Sequence, residues 1–594
     1  MANEHLILCG GARSTSRKAA WQSAKSVELR INEEPGRLNV RIEDLTSRLQ
    51  SNLTDLELDL IEIATYVYGA DQASTRGGTV RIDYGNAWYR DFRFEIPVRK
   101  PDFWSSDEVL DDLTRTLNDL SGDNFEFAFH HKPTAPPTYF EWGKDDATDI
   151  SQVMLFSGGI DSFGGAVEEI LTRKQKVVLV SHRANPKIAP YQERLVTDLT
   201  NLLEDKRLAP IHIPMWVNKD QDITKDYTQR TRSFLFASIA SIVARLFGLK
   251  CIKFYENGIT SMNLPVSPQV VSTRASRSTH PKPLSGMCSL FSRVFEDGFG
   301  ILNPYFWKTK TQILKDIKAA GQSGLCASTV SCVHTREMTN EQPHCGKCSQ
   351  CLDRRLVALA ANYTTTEDPP NGYRFNTFED SLEGADRVLF EGYAQIVNRI
   401  QGIDNAVQFC VAYPEITRAI NLINGNADQA AAAIFQLYKQ HADEVGGALD
   451  ERGRQAFSRL RRGKLPTDCF LSILAGGLRP APATPTAQSP MDTPAETGAN
   501  GLLVIDESAF QISWQGNGPH PVGNKKEFHL LSQLWIARGR FVSHTDLAER
   551  LGGDDNDKVT HIKSRLVKFL KDRGLTDLAG MIKTQKGHYG LFIS

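Results

Sequence analysis

Val153-Met-Leu-Phe-Ser-Gly-Gly-Ile-Asp-Ser162 is the stretch that most narrows what this chain can become. Apolar residues suited to a buried parallel strand run straight into Ser157-Gly158-Gly159-Ile160-Asp161-Ser162, and a helical pattern follows with Val167, Ile170 and Leu171 on one face. Strand, small-residue loop and helix in that order bring backbone N–H groups together where they suit a phosphate. Gly158 and Gly159 permit close approach and unusual dihedrals, while Ser157 and Ser162 add hydroxyl donors. Asp161 has the wrong sign for a direct phosphate contact, which suits it to holding Mg²⁺ between protein and phosphates. A bare Ser-Gly-Gly is as readily an ordinary turn. The complete run after an apolar strand is far more specific.

The surroundings continue the theme. From 149 to 363 the pattern alternates: a strand at Lys176–Ser181, a helix at Tyr191–Glu204, a strand at Ile211–Met215, a helix at Arg232–Phe247 and a strand at Cys251–Tyr255. Such alternation favours a parallel sheet with helices on both faces. Ligands of open α/β sheets bind at the carboxyl ends of strands, so Ser181-His182-Arg183 and Glu256-Asn257-Gly258 are the loops expected to add site residues.

At 594 residues the chain has room for three or four domains. Residues 1–148 read as a β-rich accessory domain with alternating strands at Thr79–Tyr84, Phe92–Val98 and Asn124–His130 and a helix at Ser106–Leu120; Leu56–Tyr68 fits strand or helix. Trp88–Phe94 suits an ordinary edge strand better than a basic, aromatic binding surface. Residues 364–478 repeat apolar residues at helix spacing, 479–500 form a Pro/Thr/Ala-rich linker that cannot bury a core, and 501–594 suffice for a separate domain. The net charge of −1 gives no global pull toward nucleic acid or membrane. No run reaches the length of a membrane span and no secretory leader is visible, so a cytoplasmic location is expected.

Five of the ten cysteines lie between Cys326 and Cys351, which argues for a metal rather than a disulfide framework. Cys332, Cys345, Cys348 and Cys351 would complete a tetrahedral Zn²⁺ shell, and with every position filled by protein the site would be structural. His344 and Cys326 are spare ligands, and an iron–sulfur cluster is the second choice. Arg354 and Arg355, at the start of the next helix, are placed to reach anions. Lys308 and Lys310 lie where another helix begins.

The Ser-Gly-Gly-Ile-Asp-Ser loop resembles the PP-loop of the N-type ATP pyrophosphatases, which cleave ATP between the α and β phosphates. Together with the downstream Thr309-Lys310-Thr-Gln-Ile313 and with Cys332…Cys345-Gly-Lys-Cys-Ser-Gln-Cys351 followed by Arg354, it looks like QueC, the 7-cyano-7-deazaguanine synthase family, over roughly Gln152 to Asn362. The resemblance implies that Ser157, Gly158, Gly159, Asp161 and Ser162 bind ATP and Mg²⁺, that Lys310 acts with Asp161 in catalysis, and that the four cysteines hold Zn²⁺. His182 and Arg232 join the expected ATP-binding set. It also implies a C–N-forming ligase that adenylates 7-carboxy-7-deazaguanine, with release of AMP and pyrophosphate. In that family ammonia then gives the amide, and a second activation gives the nitrile.

The added domains, with Arg230–Phe236 and Glu256–Pro265, look more like the QueC-like proteins of bacterial antiviral operons (Qat and type IV CBASS). Those are implicated in attaching a deazaguanine to a partner protein encoded nearby. Conjugation to a protein amine is therefore the expected outcome. Synthesis of the free amide or nitrile and an ATP-sensing, DNA-binding regulator are the alternatives. The last segment resembles an OmpR-type winged helix, with helices at Lys525–Trp535, Ser543–Leu551 and Lys558–Arg573 and a wing at Thr584–Phe592. Lys558, His561, Arg565 and Lys568 flank the apolar stripe of its third helix, which leaves nucleic acid and protein both open as its partner.

Overall fold

The computed structural model describes residues 3–15, 21, 24–34, 36–40, 53–74, 89–133, 149–183, 187–219, 229–264, 277–335, 338–423, 426–476, 503–506, 511–515, 517–522, 526–536, 541–544, 546–547, 556–585 and 588–592. The chain to residue 483 forms one compact unit, and 484–594 forms a second.

The first sheet of the larger unit contains β1 (Asn3–Cys9), β2 (Lys25–Ile31), β3 (Arg37–Val40), β4 (Arg90–Val98) and β5 (Asn124–His131). They pair parallel in the order β5-β4-β1-β2-β3. Helix α1 (Asp55–Ala73) packs on β2 and β3, and α2 (Asp107–Ser121) packs on β5. The region is therefore α/β rather than β-rich. Leu56–Tyr68 lies within α1, which opens on a capping box between Thr54 and Glu57. This helix is buried on nearly every side, between the sheet and a helix of the next layer. It consequently lacks the one-sided stripe that marks a surface helix. The Trp88–Phe94 segment also departs from expectation: from Arg90 onward it belongs to β4, an interior strand paired on both sides. Thr79–Tyr84 and Trp88 lie outside the described residues.

The second sheet begins with β6 (Gln152–Leu155), β7 (Val177–His182) and β8 (Ile211–Met215). Directly after β8 the chain forms β9 (Val217–Lys219), which crosses to pair antiparallel with β3 and extends the first sheet. It then returns for β10 (Cys251–Lys253) and β11 (Gly300–Leu302), giving the all-parallel order β11-β10-β6-β7-β8. Its helices are α3 (Ile160–Ala166, continued by a π-helical turn, Val167–Thr172), α4 (Ala189–Leu202), α5 (Arg232–Leu246) and α6 (Pro281–Val294). The strand order reverses between β6 and β10. The carboxyl ends of those two strands open the crevice where ligands of such sheets bind.

Besides shorter helical segments of the unit, four further helices matter for the site: α7 (Lys310–Ala319), α8 (Ser349–Ala360), α9 (Gly384–Gln401) and α10 (Ala427–Arg461). Phe390 of α9 and Phe435 of α10 share one core with Phe163 of α3 and Leu352 of α8, so the helical region is built onto the second sheet. A second core joins Ile7 and Phe94 of the first sheet to Val153, Phe234 and Phe291 of the second.

The smaller unit has an antiparallel sheet, β12 (Leu503–Asp506), β13 (Gln511–Trp514) and β14 (Asn517–Pro521). Helix α11 (Lys526–Ile536), β15 (Phe541–Ser543), helix α12 (Asn556–Asp572) and the hairpin β16 (Ile582–Gln585) and β17 (His588–Leu591) follow. Val559, Ile562, Leu566 and Leu570 of α12 meet Phe528 and Leu531 of α11 in its core, with Phe569 at the margin. Residues 479–500 and most of the anticipated Ser543–Leu551 helix lie outside the described residues. No described helix is long and apolar enough to cross a membrane.

Arg90 is the main buried charge of the first sheet. Its Nη2 donates to Asp71 (2.5 Å) and Asp123 (2.6 Å), and its Nη1 donates to the carbonyls of Asp71 and Ser74. Removing one partner of a buried ion pair strands the other, at a cost of about 3–5 kcal/mol. Arg90→Met, which strands two carboxylates, is expected to lose at least that much in urea unfolding. A loss under about 1 kcal/mol, the scale of a solvated pair, would mean that both carboxylates reach water.

Candidate functional site

The glycine loop leaves β6 and turns at Gly158, whose φ of +84° favours glycine. Its outer side is pinned: Gln192 Nε2 donates to the Ser157 carbonyl (3.0 Å), and the Val330 N–H donates to the Gly158 carbonyl (2.9 Å). The two serines brace the loop from within. Ser157 Oγ accepts the Gly159 N–H (3.3 Å) and lies 3.1 Å from Ser162 Oγ, which donates to the Gly159 carbonyl. Helix α3 then runs very close to its neighbours. A Cβ on Gly165 would sit 2.2 Å from the Tyr255 ring, and one on Gly164 would sit 2.7 Å from Ile313. These two glycines draw α3 against the end of β10 and against α7, and so bring Asp161, Glu256 and Lys310 together.

Asp161 Oδ2 accepts from Asn257 Nδ2 (2.7 Å), whereas its buried Oδ1 has no donor. The Glu256 carboxyl lies close enough to Asp161 for the two to act on each other's charge. Lys310 Nζ donates to Asp353 Oδ2 (2.7 Å); Asp353 Oδ1 accepts from the Tyr393 hydroxyl (3.0 Å), which lies 3.3 Å from His441 Nε2. Thr309, the N-cap of α7, donates to Glu444 Oε2 (2.7 Å). Helix α10 thus holds the lysine through its cap and through its counter-ion.

Burial pushes the Asp161 carboxyl up against the pull of Lys310. Glu256 is pushed to about 8, by burial first and by Asp161 second. For Lys310, burial disfavours the charged form, but Asp353 and then Asp161 outweigh it and hold the ammonium charged. Asp353 is held below the usual carboxylate range because Lys310 outweighs its burial.

Asp161, at the end of the glycine loop, and Lys310 lie close enough to act on each other's charge. Arg232 is exposed at the first turn of α5, and its charge acts on Glu256. The residue before it, Thr231, is fixed by its N–H and hydroxyl donating to Asp71 (3.1 and 3.2 Å). His182 is buried at the end of β7, edge-on to Tyr68 (5.4 Å) and tilted against Phe236 (6.3 Å). Lys308 pairs with Glu168 and Asp316. Arg354 turns inward to Asp368, Thr329 and the Cys326 carbonyl, and Arg355 pairs with the same aspartate. Both arginines are structural rather than anion-reaching. Asp353, Tyr393 and His441 escape the sequence reading. A carboxylate two residues after the last cysteine of a metal motif is a faint signal, and the other two have no local signal at all.

The Sγ atoms of Cys332, Cys345, Cys348 and Cys351 are buried and all lie within 4.8 Å of one another, a group that could hold a metal such as zinc. The N–H groups of Cys345 and Cys348 donate to Cys332 Sγ and Cys345 Sγ (3.4 Å each). Gly346 has φ +85°, and a Cβ there would lie 2.0 Å from the Phe375 carbonyl. The spare ligands stand apart: His344 stacks on Tyr373 (4.8 Å), and Cys326 lies beside the Tyr363 hydroxyl (3.6 Å). Cys351 is in the first turn of α8, so the cluster also fixes the helix that carries Asp353.

No family model and no curated protein matches this chain.

Tyr393→Phe keeps the ring and removes one donor from buried Asp353. A buried acceptor left without its donor costs about 1–3 kcal/mol, to be read from denaturant unfolding. A variant as stable as the parent would show that Lys310 alone satisfies the carboxylate.

Proposed function

We propose that the larger unit is an ATP-dependent adenylating enzyme of the PP-loop type that activates a carboxylate and passes the acyl group to an amine. The observation that supports this most is the meeting of Asp161, Glu256 and Lys310 beneath the glycine loop, at the strand-order reversal between β6 and β10. A carboxylate oxygen of the substrate attacks the α-phosphorus while the bond to the pyrophosphate oxygen breaks, giving an acyl adenylate. The amine nitrogen then attacks the acyl carbon, AMP leaves, and the C–N bond is made. Lys310, kept charged by Asp353, offsets developing negative charge, and the pinned loop aligns the triphosphate. The orphaned Oδ1 of Asp161 fits Mg²⁺, which when bound supplies charge neutralisation of the phosphates.

The resemblance to QueC names 7-carboxy-7-deazaguanine as the acid. The acceptor in this reading is an amine of a partner protein, in an antiviral setting, and ammonia is the competing acceptor. The smaller unit serves as a docking module. Of the basic residues on α12, Arg565 is already paired with Glu527 of α11 (2.5 Å), which reduces the charge left for nucleic acid and favours a protein partner.

Incubation with ATP, Mg²⁺ and the acid should release AMP and pyrophosphate, and release of ADP and phosphate would eliminate the mechanism. Asp161→Ala should lower turnover by at least about 100-fold, the scale of losing one preorganised electrostatic contact. Intact mass spectrometry of the co-expressed partner should show a deazaguanine-sized adduct that disappears with Asp161→Ala. Unmodified partner beside efficient conversion of the free acid by ammonia would decide for the amide or nitrile.

Zinc at the four thiolates is the second part of the proposal. Metal bound to deprotonated cysteines contributes folding free energy, so loss of one ligand should damage stability before chemistry. Elemental analysis should find about one zinc per chain. Cys348→Ser is expected to lose that zinc and to melt lower. Full zinc content with unchanged melting would refute the assignment.

A further inference from the structure

Gln72, 1 % exposed in the last turn of α1, has no hydrogen-bond partner for Oε1 or Nε2 among the described residues. It lies beside the Tyr68 hydroxyl, one turn earlier on the same face, without bonding to it. A buried amide left in that state is destabilising, and in a native protein it calls for a group that completes it. The position is not slack. Asp71, the preceding residue, accepts from the Thr231 N–H (3.1 Å) and hydroxyl (3.2 Å) and from Arg90 Nη2 (2.5 Å). The end of α1 is thereby clamped to the start of α5, with the amide held at the junction.

The neighbours of that junction have a common character. Ser233 Oγ, in the first turn of α5, is also buried without a partner among the described residues. His182 at the end of β7 stands edge-on to Tyr68 (5.4 Å) and tilts against Phe236 (6.3 Å). Phe236 lies one turn along α5 from exposed Arg232, whose charge acts both on the Tyr68 hydroxyl and on Glu256 of the crevice. Three aromatic rings, one orphaned amide and one cation thus adjoin the crevice. A primary amide offers a donor and an acceptor side by side, and a ring edge on which an N–H stands next to a carbonyl satisfies both at once. Flat heteroaromatic rings are bound between aromatic side chains and read at that edge. A carboxylate carried by the same ring suits the guanidinium of Arg232.

We propose that Gln72 is the specificity-determining residue for the acid: with Tyr68, His182, Phe236 and Arg232 it holds a flat heteroaromatic carboxylate by the cyclic-amide edge of its ring. This rests on reading the crevice as the place where a carboxylate is activated. The α/β region ahead of the glycine loop then supplies part of the substrate pocket, and His182 and Arg232 serve the acid rather than ATP.

The test titrates the full-length, zinc-replete protein calorimetrically with 7-carboxy-7-deazaguanine and with indole-3-carboxylate. The second acid has the same two-ring shape and carboxylate but lacks the cyclic-amide edge. The parent should prefer the first by at least about 10-fold, the scale of a buried hydrogen-bonding group left unmade. Gln72→Leu should erase most of that preference and leave ATP affinity unchanged. It should also melt no lower than the parent, because an apolar group of similar size relieves the buried amide. Gln72→Met repeats the comparison should leucine not fit. The proposal is overturned if the parent binds neither acid, or if the variants keep the preference, in which case the amide holds a structural water. Acid binding that depends on Gln72 without any release of AMP would sink the adenylating reading and leave the pocket standing. Equal AMP release by parent and Gln72→Leu, with the preference intact in both, would do the reverse.

Discussion

An ammonium group taken out of water must be paired, and in this protein that requirement falls on Lys310. Burial alone would drive its proton off; the Asp353 carboxylate keeps it. Asp353 in turn is buried enough to need partners of its own, and it finds Lys310 on one oxygen and Tyr393 on the other. Each group satisfies the next, through α7, α8, α9 and α10, until His441 is reached. A buried polar network is stabilising only when its members are satisfied. The helical region therefore cannot be an appendage, because its helices supply the donors that make the lysine's counter-ion tolerable. The second grip of α10, Glu444 on the capping hydroxyl of Thr309, orients the turn from which Lys310 projects.

The cysteine cluster serves the same arrangement from the start of α8. It fixes the first turn of the helix two residues before Asp353, and the chain leading into it donates from Val330 to the glycine loop. A structural metal at those thiolates would thus hold both the loop and the counter-ion of the lysine in register. Gly346 allows the tight approach to Phe375 that lets the sulfurs converge.

Local chemistry was legible in the sequence, and long-range chemistry was not. The strand–loop–helix around Gly158, the strand ends carrying His182 and Glu256, and the four thiolates all follow from short patterns with a physical meaning. The N-terminal region misled because α1 is buried on nearly all sides and shows no stripe, and because β4 alternates like a half-buried strand while lying inside a sheet. Arg354 misled for another reason. A basic residue after a metal motif suggests an anion, but this one is fully enclosed and its donors go to Asp368, Thr329 and Cys326. Tyr393 and His441 lie 40 and 48 residues from their partners in the network. No window short enough to show periodicity contains both ends of either contact.

The two flanking regions are tied to the crevice by different means. On one side, β9 stitches the sheets together, and Asp71, neutralised by Arg90, anchors Thr231 at the start of α5. That anchor sets Arg232, whose charge reaches Glu256. On the other side, α8 sets Lys310 through Asp353 and α10 sets it through Thr309. The cationic groups of the crevice are thus positioned by polar contacts from outside the second sheet, whereas the carboxyl groups of Asp161 and Glu256 are positioned by that sheet itself. A second sheet without its flanks would keep the carboxylates and lose control of the charges that oppose them. The carboxyl half of the crevice comes with the strands, and the cationic half is held there from outside them.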